Sequence, residues 1–225
     1  MLTQNNCLIT VSCRTASLRL PAKALLPIAD QPSILFLLRR LKKLTNLVLA
    51  TTDLPSDDLL AKIVSGEGFN VRRGESINVF ERLRVIANEQ NLPYLVRITA
   101  DCPLVDGDFV LDALDIANRD LLGGNDWDLA STKGFTPPGI DLEIIKVEAM
   151  NKISNLLDSE EREHVTLGFM RRKDEYVVRA IKIPGYAGKK GTYLLDTLED
   201  YLRLARSIDI EDCFSSPIEI INKLL

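Results

Sequence analysis

Short apolar runs alternate along the chain with longer stretches in which apolar residues recur every three or four positions. Residues 7–11 (CLITV) form the first run and suit a buried strand. Ser33 then precedes ILFLLRRLKKL, whose apolar side chains gather on one side while Arg39, Arg40, Lys42 and Lys43 lie elsewhere. This predicts an amphipathic helix with cations near its C-terminal end, where the helix dipole favours them. A second strand is expected over 46–51 (NLVLAT). Ser56 is placed to cap a helix with acids in its first turn and glycines at its end. Short strands follow at 69–72 and 94–99 (YLVRIT), and helices at 79–89 and 108–118.

The second half is less regular. Strands are expected over 139–146 and 176–183, and helices over 147–157, 160–172 and 198–207. Strands of about five residues alternating with helices of about eleven predict an α/β fold, with a mixed, mostly parallel central sheet flanked by helices. In such sheets ligands sit beyond the C-terminal strand ends. That selects three places: the loop after Val11, the stretch after Thr51 and the turn after Thr99.

The length of 225 residues fits one large domain over 1–225. Such a chain buries about 70% of its unfolded surface and needs no disulfide or structural metal. With 46% hydrophobic and 27% charged residues, long disordered tracts are excluded. A net charge of −4 argues against a nucleic-acid partner, although local cations suffice for a small anion. The single histidine, His164, excludes zinc sites built on several histidines. Cysteines 7, 13, 102 and 213 form no C-x-x-C and read as reduced, mostly buried thiols of a cytoplasmic protein. No leader segment is seen, and no apolar run approaches the ~20 residues of a membrane span.

Three segments carry candidate chemistry. Arg14, Arg19 and Lys23 fall within ten residues after the first strand, where a loop can gather them round a polyanion. A solvated basic loop is the plain alternative. Asp101 follows YLVRIT and can hold a hard cation bridging nucleotide phosphates, or merely begin a turn before Pro103. Asp196 ends an apolar run before a helix, as a helix cap or as a second ligand of the same cation.

In order, these segments and their neighbours resemble the acylneuraminate-type cytidylyltransferases, most of all the subgroup named for spore coat polysaccharide biosynthesis. The resemblance rests on Arg14-x-x-Ser17-x-Arg19-Leu20-Pro21-x-Lys23, Ala50-Thr51-Thr52, Arg73-Gly74 and Val96-Arg97-Ile98-Thr99-x-Asp101-Cys102-Pro103-Leu104. Glu161-Arg162-Glu163-His164-Val165-Thr166 and Leu195-Asp196-Thr197-x-Glu199-Asp200 follow, so that it spans about residues 7–208. It implies one domain of the Rossmann-like nucleotide-diphospho-sugar transferase fold, which activates a sugar or sugar acid with CTP and releases pyrophosphate for surface polysaccharide or glycan synthesis. It assigns Arg14, Ser17, Arg19 and Lys23 to the nucleotide, with Arg73, Gly74 and Asn78 near it. Arg14, Lys23 and Asp101 become the catalytic groups and Asp101 and Asp196 the Mg²⁺ ligands. Asp141, Glu161, Arg162 and His164 lie towards the sugar. A homodimer is implied as well. Ala16 and Ala22 stand where the family's loop has glycine, and Ala16 is expected to weaken nucleotide binding or narrow its geometry, because alanine resists positive φ.

Other signals compete. Asp106-Gly107-Asp108 and Asp126-Trp127-Asp128 match the D-x-D of glycosyltransferases that use a sugar nucleotide. A non-catalytic nucleotide-binding descendant is a further alternative. The glycine-containing segment 185–192 has the wrong spacing for a P-loop and reads as a turn. Cys102 reads as a core thiol, and the apolar tail 209–225 is expected to pack on the domain or on a second subunit.

Overall fold

The computed structural model describes residues 1–186 and 188–224. Ala187 of the 185–192 turn and the terminal Leu225 lie outside the described residues. Nine strands are described: β1 (Cys7–Ser12), β2 (Pro27–Ile28), β3 (Gln31–Pro32), β4 (Leu47–Thr52), β5 (Asn70–Gly74), β6 (Tyr94–Thr99), β7 (Leu129–Ser131), β8 (Glu143–Lys146) and β9 (Val178–Ala180). Seven of them form one sheet in the order β5-β4-β1-β6-β8-β7-β9. Only β8 runs against the rest, pairing antiparallel with β6 and β7. β2 and β3 form a separate two-stranded hairpin.

The alternation within β1 shows how the sheet is covered. Cys7, Ile9 and Val11 face one core, against α1 (Ser33–Arg40), α2 (Asp58–Gly66) and α4 (Gly107–Leu122). Leu8 faces the other, against α3 (Val79–Glu89) and α5 (Val147–Ile153). Burial on both sides explains why β1 reads as an unbroken apolar run. α8 (Leu198–Ser207) and α9 (Pro217–Leu224) join the first core through Leu204, Ile220 and Ile221, so the described part of the tail packs on its own chain. No helix among the described residues is long and apolar enough to cross a membrane.

Elements with a strong local period lie where the pattern puts them: α3, β6 and α8 keep the expected limits. Differences arise where tertiary partners intervene. α1 stops at Arg40, whose guanidinium is buried rather than on the polar side, donating to the carbonyls of Leu104, Asp212 and Ser215. Asp57, not Ser56, takes the N-cap position of α2. The expected helix over 160–172 is split into α6 (Ser159–Glu163) and α7 (Leu167–Arg171). The break at His164–Thr166 is required because Val165 enters the core and the Thr166 hydroxyl donates to buried Glu143. The strands expected over 139–146 and 176–183 shorten to β8 and β9, and β2, β3 and β7 are too short to show a period.

Candidate active site

The candidate site lies beyond the C-terminal ends of the parallel strands. Ser12 at the end of β1 is in register with Thr99 at the end of β6, so the segments that follow these strands emerge side by side. Their loops line a cleft of about 590 Å³, which includes Arg14, Ser17, Arg19, Lys23, Asp101 and Asp196. Lys23 is its centre: its Nζ lies 3.1 Å from Asp101 Oδ2 and 3.1 Å from Asp196 Oδ1. Arg19 pairs with the other oxygen of Asp196 at 2.9 Å, and Arg14 pairs with Glu163 at 2.9 Å.

Two backbone contacts deliver Asp196 to this point across nearly a hundred residues. The Leu195 N–H donates to the Asp101 carbonyl at 2.8 Å, and the Tyr193 N–H to the Pro138 carbonyl at 2.7 Å. Gly139, at φ +92°, lets the chains approach; a Cβ there would stand 2.2 Å from the Tyr193 carbonyl carbon. Asp196 has no capping role, since Thr197 and Asp200 form the capping box of α8. Its carboxylate is therefore available to the cleft.

Burial alone would raise the Asp101 carboxyl, but the Lys23 ammonium and the Thr99 hydroxyl outweigh it and hold the group below the usual carboxylate range. Two carboxylate oxygens converging on Lys23 form a donor set suited to a hard divalent cation, which needs only one or two protein carboxylates when phosphates supply the rest. No group of three or more metal-ligating side chains occurs among the described residues.

The loop is fixed at its root by buried Asp57. This carboxylate accepts from the Thr15 N–H at 2.8 Å, the Thr15 hydroxyl at 2.5 Å, the Thr51 hydroxyl at 3.1 Å and the Thr52 hydroxyl. Burial would raise Asp57, and these donors bring it below its ordinary value instead. Ala16 is absent from the positive-φ residues, so its methyl costs no backbone strain; Ala22, at φ +54°, takes the left-handed conformation instead.

The other sequence candidates have different surroundings. Arg73 donates to the Thr52 and Leu54 carbonyls and pairs with Asp58 at 2.7 Å. Gly74 ends β5, and Asn78 caps α3 by accepting from the Glu81 N–H. Glu161 completes the capping box of α6 and pairs with Arg172, while Arg162 donates to the carbonyls of Ser154 and Leu157. Asp141 accepts from the Gly139 N–H, and burial raises its carboxyl. None of these six residues lines the cleft or the cavity beside it. The aspartates of the D-x-D triplets are occupied as well. Asp106 caps α4, Asp108 pairs with Lys43, Asp126 with Lys146, and Asp128 accepts from the Val177 N–H. Burial pushes the Cys102 thiol up, as expected of a core cysteine.

The sequence pattern missed two cleft arginines. Arg82 is only 3% exposed, donates to the Glu75 carbonyl and forms no ion pair among the described residues. Its signal was a cation at Val79 + 3 and Ile86 − 4, within the apolar stripe of α3. Arg97 interrupts the apolar strand β6 and pairs with Glu143 on β8 at 2.5 Å. His164, at the break between α6 and α7, lines the cleft and also a neighbouring cavity of about 630 Å³. That cavity has apolar walls from Leu129, Met170, Tyr176 and Val178, with Lys133, Lys173 and Arg179 among its charges.

A family model described as cytidylyltransferase matches residues 8–121. An uncharacterized protein of Methanocaldococcus jannaschii is 31% identical over 208 residues, covering 89% of this chain and 83% of that protein. The spore coat polysaccharide biosynthesis protein SpsF of Bacillus subtilis is 29% identical, covering 88% and 84%. Among solved structures, a cytidylyltransferase from Leptospira borgpetersenii superposes with a TM-score of 0.86 at 26% identity, covering 96% of this chain and 92% of that one.

Proposed function

Because this chain belongs to the cytidylyltransferase family, we propose that it transfers CMP from CTP to a sugar or sugar-acid hydroxyl. Pyrophosphate and a proton are released, and the product feeds surface polysaccharide or glycan synthesis. The relationship to the SpsF protein supports the last point. The observation that carries the proposal is the meeting of Asp101, Asp196 and Lys23 beside a basic loop at the ends of β1 and β6.

Arg14, Arg19 and Lys23 bind the triphosphate, with Ser17 at the turn of the same loop. Asp101 and Asp196 hold Mg²⁺, which when bound neutralises phosphate oxygens and the departing pyrophosphate. The site fits the ion because its two carboxylates already share one cationic partner. Arg82 and the buried Ser12 hydroxyl, which has no partner among the described residues, add donors to the cleft wall. The neighbouring cavity seats the acceptor, and its excess of cations suits an anionic sugar. His164 lies at the border of the two as a substrate contact. Positioning and charge neutralisation supply most of the catalysis, since phosphoryl transfer asks little covalent chemistry of the protein.

Thermal shifts with the four ribonucleoside triphosphates, with and without magnesium, test the nucleotide; CTP with magnesium is expected to stabilise most. Pyrophosphate release across a sugar-acid panel tests turnover. Lys23→Ala and Asp101→Ala should each lower that rate about a hundredfold with the melting temperature kept. Full activity in either folded variant overturns the assignment. Stabilisation by CTP without pyrophosphate release from any acceptor would favour the non-catalytic descendant.

A further inference from the structure

The nucleotide cleft and the acceptor cavity are distinct chambers with a common border. Two residues line both, Arg97 and His164. Any transfer between a nucleotide in one and a hydroxyl in the other must occur at that border. The α-phosphate belongs there, because it is the atom group the acceptor attacks.

Arg97 is built into this border. In the β6–β8 ladder it stands directly opposite Glu143. Its Nη1 donates to Glu143 Oε2 at 2.5 Å, and the side chains are 13% and 3% exposed. The Arg97 Nε is buried without a partner among the described residues. Glu143 also accepts from the Thr166 hydroxyl at 2.6 Å and pairs with Lys133 at 3.0 Å. Thr166 closes the helix break that carries His164, so one carboxylate fixes both border residues. Burial would raise the Glu143 carboxyl, but Arg97, Lys133 and Thr166 overcome it and hold it at about 2. Glu143 is thus ionised across the physiological range, and it holds Arg97 through one charge-assisted hydrogen bond at Nη1.

We infer that Arg97 is a further catalytic residue, contacting the α-phosphate where cleft and acceptor cavity meet, with Glu143 as the residue that positions it. The inference rests on the cytidylyl-transfer reading above. In that step the acceptor oxygen bonds to the α-phosphorus, the bond to the bridging β-phosphate oxygen breaks, pyrophosphate leaves with that electron pair, and the hydroxyl proton passes to water. Charge spreads over the α-phosphate oxygens, where a planar, permanently charged guanidinium is the best-matched side chain.

Binding of cytidine, CMP and CTP isolates the contact, because cytidine and CMP differ by the α-phosphate alone. In Arg97→Met, CMP and CTP are expected to weaken by about ten- to a hundredfold, with cytidine affinity kept as the control for folding. An unchanged ratio of CMP to cytidine affinity overturns the inference. If Arg97→Met does not fold, ¹⁵N NMR of the wild-type protein decides. The Arg97 Nε–H signal, assigned by its loss in Arg97→Lys, should move with CMP and not with cytidine; a signal indifferent to CMP overturns the inference. Glu143→Gln should lower the CMP-to-cytidine ratio without removing the guanidinium, which a residue of purely structural importance would not do. Failure of all three compounds to bind the wild-type protein would instead defeat the cytidylyl reading itself.

Discussion

The loop after β1 and the Arg97–Glu143 border both present cations to the same cleft, by opposite means. Arg19 on the loop has a side chain 72% exposed, and Arg14 and Glu163 are about half exposed. Pairs of this kind hold each other weakly, so their cations can turn to a ligand's phosphates at small cost. At the border Glu143 is buried and Arg97 is 13% exposed, and removing the carboxylate leaves the guanidinium without its partner. Arg14 and Arg19 thus offer exchangeable charge, while the border offers a charge held by a buried carboxylate. Polyanion capture suits the first and alignment of a reacting phosphate suits the second.

The largest effect is expected at the border. Glu143→Ala should lower unfolding free energy by about 3 kcal/mol in urea titrations, since it leaves the largely buried Arg97 without its partner. The same residue gives a pH signature. The folded-state pKa of Glu143, about 2, lies below its ordinary 4.5, so the stability it contributes is complete above pH 4.5 and lost as pH falls towards 2. Wild-type protein should lose on the order of 3 kcal/mol from this group across that window. Glu143→Gln should flatten the slope; a variant as acid-sensitive as wild type would contradict the assignment.

The next effect concerns the root of the loop. Asp57→Asn replaces an acceptor of several hydrogen bonds with a group that is half donor. It should cost about 1–3 kcal/mol and speed hydrogen exchange at the Thr15 amide. Equal protection at Thr15 in both proteins would show that the loop holds without this anchor. The smallest effect separates two alanines that look alike in sequence. Ala22→Gly should raise stability by about 0.5–1 kcal/mol by relieving a left-handed alanine, whereas Ala16→Gly should lower it slightly by adding freedom to the unfolded chain. Equal shifts in both would refute the difference in backbone conformation.

The α/β alternation, the limits of α3, β6 and α8, and the loop containing Arg14, Ser17, Arg19 and Lys23 were legible because they depend on local period and on position after a buried strand. Arg97 and Arg82 were overlooked as cleft residues, although each is a cation set in an apolar pattern. Their importance depends on what faces them: Glu143 lies 46 residues from Arg97 in sequence, and the cleft beside Arg82 is assembled from several segments. Asn78 and Glu161 cap α3 and α6 and Arg162 braces the segment before α6, and sequence order does not distinguish a side chain turned to the backbone from one turned to a ligand.

The order of apolar and polar residues alone determined that this chain forms a layered α/β protein with a basic turn after its first strand, because strand and helix periods are short-range properties. Only the tertiary structure decided that Asp101, Asp196 and Lys23 meet, that His164 sits at a helix break, and that Arg97 lies between two chambers. Those placements are set by register between strands and by close backbone contacts such as Gly139 on Tyr193. Such contacts join residues distant in the chain, and their energy exists only once the sheet has closed around them.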